Sequence, residues 1–273
     1  MPEYYLTRSE LEIFTEQTES ICNLMLSEEL SVIELGAGDG SKTYHLLNYL
    51  NERCRLTYMP VDISVNALKG LQTRFHEILP GLQMKPVHAE YFTALSELKH
   101  LKGNKVVLFL GSNIGNLPDK LARDFIVQIA DSLNVNDQFL LGVDLRKPKD
   151  IVLPAYNDAQ GYTRGFNMNI LHRINRELGG TFDTDKFIHV PSYTEEEGIA
   201  RSFLQSTEDQ DVKISDLDSV FHFAEGEMIQ TEISRKYDLD LINELIRDTG
   251  LSVQQVFYDK KKYFADILMK KVS

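Results

Sequence analysis

Residues 32–40, VIELGAGDG, run from apolar side chains into glycines at 36, 38 and 40. Glycine permits tight turning and close backbone approach, and a loop leading from a strand into a helix presents N–H donors to a polar ligand. The spacing is neither GxGxxG nor the phosphate-loop pattern GxxxxGK[ST]. Gly36, Gly38 and Lys42 are the candidate ligand contacts of this loop. Asp62 closes PVDIS, where a carboxylate can accept hydrogen bonds from both ribose hydroxyls and oppose a 2′-phosphate. HAEYF then supplies Glu90 and Tyr91, and LFLGSNIGNL supplies Ser112, Asn113 and Asn116 among glycines. Asn116 is of a type to accept a hydrogen bond from a substrate amine. Plainer readings stand beside these: a glycine turn with a capping Asp62, a solvated Glu90, Asn116 as a helix cap. The same set would also serve NAD.

The elements that must position these residues follow from hydrophobic periodicity. Helical spacing covers 8–29, and SVIELG reads as a short buried strand feeding the glycine loop and a helix over 41–53. A second strand ends at Asp62, a helix covers 65–79, and MKPVHAEY reads as a third strand. The near-continuous apolar run 105–111 is expected of a parallel strand covered on both faces. A helix over 117–134 and a fifth strand over 138–145 follow. Strands alternating with helices predict an α/β doubly wound parallel sheet, with ligands beyond the carboxyl ends of its strands. After a helix near 238–249, two apolar runs around Lys260-Lys261-Lys262 predict a hairpin and hence an antiparallel C-terminal edge. The polar, aromatic block 146–236 breaks the rhythm and is expected to be an inserted α+β lobe. The predicted organisation is therefore one domain formed by 1–145 and 237–273, with 146–236 inserted over its site.

Composition narrows the partners. With 29 basic and 41 acidic residues, the net charge is −12, and the acidic residues are spread along the chain. Such a chain repels a phosphate backbone, so no nucleic acid is expected. Cys22 and Cys54 have no CxxC or histidine cluster around them and read as free thiols of a reducing compartment. The histidines show no HxH or HExxH spacing, so no metal is expected. No apolar run approaches the ~18 residues of a membrane span, and the start lacks the pattern of a secretory signal. A cytoplasmic protein without a membrane partner is the expectation.

The acidic residue before the alternating-glycine turn and the Asp after the second strand together resemble the class I (Rossmann-like) S-adenosylmethionine-dependent methyltransferases. That resemblance implies Asp62 on the ribose, Glu90 toward the adenine amino group, Tyr91 or Phe92 against the ring and Ser112 in the same site. A narrower one follows from PEYYLTRSE, ELGAGDGSKT, YMPVDIS, FLGSNIGNL, LLGVDLRKP, AYNDAQGYTRGFNMNIL, RINRELGG and GEMIQTEISRKY, in that order. Over nearly the whole chain they look like the histidine-specific Nα-methyltransferases of ergothioneine biosynthesis and their relatives, which include fungal enzymes acting on prenylated tryptophan. The resemblance implies that Asn116 holds the substrate α-amino group and that Tyr156 contacts its carboxylate, both as candidate catalytic residues. Thr163 lies nearby, and Glu232 and Ser234 would grip the imidazole.

Two departures bear on the acceptor. Family members carry a further segment before PEYY, including a tyrosine that lines the substrate pocket, whereas this sequence begins at that motif. Three expectations stand side by side: a short natural form, a fragment, or one half of a system in which a protein partner completes that wall. A methionine segment beside the imidazole reads IARSFL here, with Ser202 near its place, and Arg164 is bulkier than the family residue. The small-molecule acceptor is then histidine, or another aromatic or modified amino acid. A partner-dependent or inactive cofactor-binding subunit is the alternative from a different class.

Overall fold

The computed structural model describes residues 3–99, 101 and 103–273. They form two compact units, one made of Leu6–Leu145 and Tyr237–Ser273, the other of the residues up to Tyr5 with Arg146–Lys236. The start of the chain joins the inserted stretch because the Lys147 ammonium lies over the Tyr5 ring, 4.6 Å from its centroid.

The larger unit opens with α1 (Leu6–Glu16) and α2 (Thr18–Met25), where one helix over 8–29 was expected. The break falls at Gln17: the Thr18 hydroxyl donates to the Phe14 carbonyl, a back-bond that bends helices. Next come β1 (Glu29–Leu35), α3 (Thr43–Asn51), β2 (Arg55–Asp62) and α4 (Val65–Ile78). The expected third strand is instead two short pairings on β2, β3 (Gln83–Met84) and β4 (Val87–His88). Pro86 stands between them and has no N–H for the ladder. The parallel part ends with α5 (Tyr91–Leu98), β5 (Asn104–Phe109), α6 (Asp119–Ser132) and β6 (Gln138–Asp144). Every residue of β6 is buried, as apolar strands covered on both faces require.

The smaller unit holds α7 (Lys149–Tyr156), α8 (Tyr162–Leu178), β7 (Phe187–Thr194), β8 (Ile199–Ser206), β9 (Gln210–Ile214), β10 (Ser219–Phe223) and β11 (Met228–Arg235). Strands β11, β8 and β7 form an antiparallel sheet, and β9 and β10 a separate hairpin. Met168 and Leu171 of α8 pack with Phe187 and Leu204 in a core of this unit's own.

The chain re-enters the larger unit through α9 (Leu239–Ile246), β12 (Leu251–Tyr258) and β13 (Phe264–Lys271). The hairpin adds an antiparallel edge, giving the order β12-β13-β6-β5-β1-β2-β3, with β4 also on β2, among the described residues. Leaving β1, the chain winds one way to β2 and then crosses to β5 and β6. The carboxyl ends of β1 and β5 are therefore the topological switch point, where a doubly wound sheet opens a crevice. Exit and re-entry of the insertion are adjacent: Leu145 and Tyr237 form a bridge, and the Tyr237 N–H donates to the Asp144 carbonyl at 2.8 Å. No helix among the described residues is long and apolar enough to cross a membrane.

Candidate functional site

At the switch point lies a cavity of about 210 Å³, walled by the glycine loop on one side and by Leu110, Gly111 and Asn113 on the other. Gly36, Gly38 and Gly40 all adopt positive φ, 74°, 55° and 66°. Space matters as well as conformation at two of them. A Cβ on Gly36 would sit 2.6 Å from the Tyr91 hydroxyl oxygen, and one on Gly40 would sit 2.5 Å from the Phe75 ring. Beneath the loop, Glu34 is fully buried and accepts hydrogen bonds from Thr43 Oγ1, at 2.5 Å, and from the Tyr58 hydroxyl. Burial pushes its carboxyl up to about 7 despite those two bonds. One side chain thus ties β1, β2 and α3 together under the turn.

The remaining candidates in this unit occupy different settings. Lys42 is in the cavity wall and pairs with Glu10 of α1. Asp62, half-buried at the end of β2, accepts the Ser64 N–H at 2.8 Å through Oδ1. Tyr91 stands edge-on to Phe109, with ring centroids 5.6 Å apart, and burial, followed by the charge of Asp62, pushes its phenol up. Glu90 is exposed just before α5. Ser112 is buried with φ 58°, and its oxygen accepts the Asp144 N–H at 2.9 Å, so it ties β5 to β6. Its neighbour Asn113 supplies the cavity-lining side chain. Asn116 is exposed at the end of the 3-10 turn Asn113–Asn116. This donor set fits a nucleoside carrying an amino-acid tail. The loop offers backbone where side chains would block, Asp62 offers oxygen to hydroxyls, and Lys42 places an ammonium in the wall.

The smaller unit contains a second cavity, about 320 Å³, lined by Tyr4, Tyr156, Tyr162, Thr163, Phe166 and Glu232 among others. Four aromatic rings around one carboxylate suit a small planar ligand with N–H groups. Burial pushes the Glu232 carboxyl up, and the positive charge of Lys236 opposes that. Period two along β11 carries Glu232, Ser234 and then Lys236 onto one face. The Lys236 ammonium, fully buried, donates to Tyr156 Oη at 2.6 Å and to Ser234 Oγ at 2.9 Å, and the Tyr156 hydroxyl donates to Ser234 at 2.7 Å. Ser234 Oγ, Tyr156 Oη and the Lys236 ammonium thus form one buried polar cluster beside Glu232. The main-chain N–H of Thr163 is held by Asp158 at 2.8 Å, which caps the start of α8. Ser202 faces Glu232 across the β8–β11 register and meets His189 Nε2 at 3.2 Å.

Sequence reasoning brought out Tyr156, Thr163, Glu232 and Ser234, and these lie together. It missed Lys236, although SRKY carried a signal: a lysine two residues after Ser234 in an alternating strand. It also missed Glu10, an acidic residue on the apolar face that α1 makes with Ile13 and Phe14.

The comparisons with known proteins agree with one another. A family model described as histidine-specific methyltransferase, SAM-dependent, matches residues 1–271. Histidine N-alpha-methyltransferase of Mycolicibacterium smegmatis is 33% identical over 252 residues, covering 92% of this chain and 78% of that protein. Ergothioneine biosynthesis protein 1 of Schizosaccharomyces pombe is 30% identical over 246 residues, 86% of this chain and 32% of that longer protein. Among solved structures, an S-adenosylmethionine-dependent methyltransferase from Clostridium acetobutylicum superposes with a TM-score of 0.50 at 12% identity, over 97% of this chain and 92% of that one. Its likeness concerns the fold, the class I methyltransferase sheet with helices on both faces. A glycine turn at the switch point, a carboxylate closing β2 and a family match from end to end leave one assignment: the chain belongs to the S-adenosylmethionine-dependent, histidine-specific methyltransferase family.

Proposed function

We propose that the protein methylates the α-amino nitrogen of histidine. When bound, the cofactor supplies a methyl group made electrophilic by its sulfonium and open to in-line attack by an amine lone pair. Most of the protein's task is then to hold a neutral amine in line at about 3 Å, where fixed geometry replaces the entropy of encounter. An α-amine titrates near ~8, so the site has to favour the free base or pass its proton to an acceptor. Asn116 is the proposed holder of the amine, and Tyr156, braced by Lys236, of the carboxylate. In the cofactor site the proposed contacts are Gly36, Gly38, Lys42, Asp62, Tyr91 and Glu90, with Ser112 acting through the strand end it ties.

The observation that carries the histidine reading is the pairing of Glu232 with Ser234. The carboxylate accepts an imidazole N–H, and the serine hydroxyl donates to the ring's second nitrogen. Together they describe a neutral imidazole, a donor on one side and an acceptor on the other. Thr163 and the aromatic side chains close around it. Ser202 and His189, beside Glu232, favour a second reading in which the acceptor is a different aromatic or modified amino acid with an extra polar group.

Calorimetric titration with S-adenosylhomocysteine, followed by amino acids in its presence, tests the reading. Histidine should bind once cofactor product is present. Tight cofactor binding with no response to histidine would move the assignment to another acceptor. If methyl transfer appeared only when a second protein was added, the partner-dependent alternative would hold.

A further inference from the structure

Behind the cofactor cavity, two carboxylates with no access to solvent sit side by side. Glu10 reaches across from α1: one oxygen accepts the Gly111 N–H at 2.7 Å, and the other pairs with the Lys42 ammonium. Asp266 of β13 is equally buried, and neither of its oxygens has a hydrogen-bond partner. Gly142 of β6 makes the room between them, since a Cβ there would lie 2.3 Å from Glu10 Oε1 and 3.1 Å from Asp266 Oδ1. The site described above uses Lys42 but gives Glu10 and Asp266 no part.

We propose that Glu10 is a positioning residue of the cofactor site, fixing the Lys42 ammonium and the Gly111 N–H along the cavity wall, with Asp266 beside it as a neutral acid. This rests on the cofactor assignment and not on the identity of the acceptor. Two adjacent buried carboxylates with a single ammonium cannot both be ionised cheaply, because an unpaired buried charge is strongly unfavourable. Glu10 has the ammonium and an N–H, so the proton belongs on Asp266. Burial, then the negative charge of Glu10, push the Asp266 carboxyl well above its usual value, with Lys42 pulling the other way. For Lys42, burial lowers the ammonium's value, but the charge and hydrogen bond of Glu10, joined by the charges of Asp266 and Glu34, raise it overall. The other titratable groups whose charge bears on Lys42 are Glu34 of β1, which also faces Glu10, and Asp39 of the glycine loop. Held in this way, Lys42 would offer its remaining N–H donors to the carboxylate of the cofactor's amino-acid tail.

The test is calorimetric binding of S-adenosylhomocysteine by the full chain, its Glu10→Gln variant and its Asp266→Asn variant, from about pH 6 to about pH 9. Wild-type binding is the control, and its failure would count against the cofactor assignment itself. Glu10→Gln should weaken binding roughly tenfold or more at neutral pH, since it removes the carboxylate that holds Lys42 along the cavity wall. Equal affinity overturns the positioning role. Wild-type affinity should fall toward alkaline pH, as Asp266 gives up its proton and competes for Lys42, and Asp266→Asn should flatten that fall. Parallel profiles overturn the neutral-acid assignment.

Should Glu10→Gln fail to fold, unfolding free energies against pH decide between wild type and Asp266→Asn. An Asp whose folded value is raised stabilises fully below its unfolded value and loses that contribution as pH rises. The wild type should therefore lose stability relative to Asp266→Asn on going from acid to neutral pH, and parallel curves would overturn the proposal.

Discussion

Glu232 and Ser234 stand two residues apart on β11, and the proposed division of labour between them makes distinct claims about their variants. Glu232→Ala removes the acceptor for a ring N–H and should lower kcat/KM for histidine roughly ten- to a hundredfold, mostly through KM, as for loss of a hydrogen bond to a charged group. Because burial holds the Glu232 carboxyl above its ordinary value, the carboxylate form is gained only as pH rises past the usual range. The wild-type pH profile should therefore carry an acidic limb that Glu232→Gln lacks. Identical profiles for the two proteins would remove Glu232 from ring recognition. The proposed ring-binding pair was legible only by family resemblance, since a Glu and a Ser at alternate strand positions have no chemistry of their own. Glu10 escaped because its partners are remote in sequence: Gly111 is 101 positions away. Such contacts are decided by tertiary packing, and no local pattern announces them.

At the scale of elements, the turn between β1 and α3 is built on Glu34 and Gly40. Glu34 has a folded value of about 7 against an ordinary 4.5. Its contribution to stability is therefore complete below about 4.5 and is lost as pH rises through about 7, a change on the order of 3 kcal/mol for a fully buried group. Unfolding curves for Glu34→Gln should lack that decline, and a parallel pair of curves would show that Glu34 is not protonated in the fold. Gly40→Ala sets a Cβ against Phe75 at positive φ and should cost about 1–3 kcal/mol, read as a lower denaturant midpoint. An unchanged midpoint would mean that α4 is free to move aside. The turn was readable because strand, loop and helix are consecutive and the glycines are local requirements. The break at Gln17 and the split third strand were not, because a hydroxyl's choice of carbonyl and a single missing N–H leave the hydrophobic period intact.

For the whole molecule, the antiparallel edge could be anticipated from two apolar runs around a lysine turn, but not the placing of β13 between β12 and β6. That placing depends on which neighbour leaves an unpaired edge, a property of the assembled sheet. The stretch 146–236 breaks the rhythm of the sequence, and the residues that flank it, Leu145 and Tyr237, are bridge partners. Replacing 146–236 by a short linker should therefore leave a folded unit that still binds S-adenosylhomocysteine and transfers no methyl group. Loss of cofactor binding in that protein would show that the division of roles is wrong.

Methyl transfer to the α-nitrogen of histidine can be read by incubating the full chain with S-adenosylmethionine carrying an isotopically labelled methyl group and L-histidine, then locating the label by fragmentation in a mass spectrometer. Label is expected on the α-nitrogen and not on the imidazole, with a sharp fall when Glu232 is replaced by alanine. Label on the ring, or unlabelled histidine from a chain that binds S-adenosylhomocysteine tightly, would contradict it.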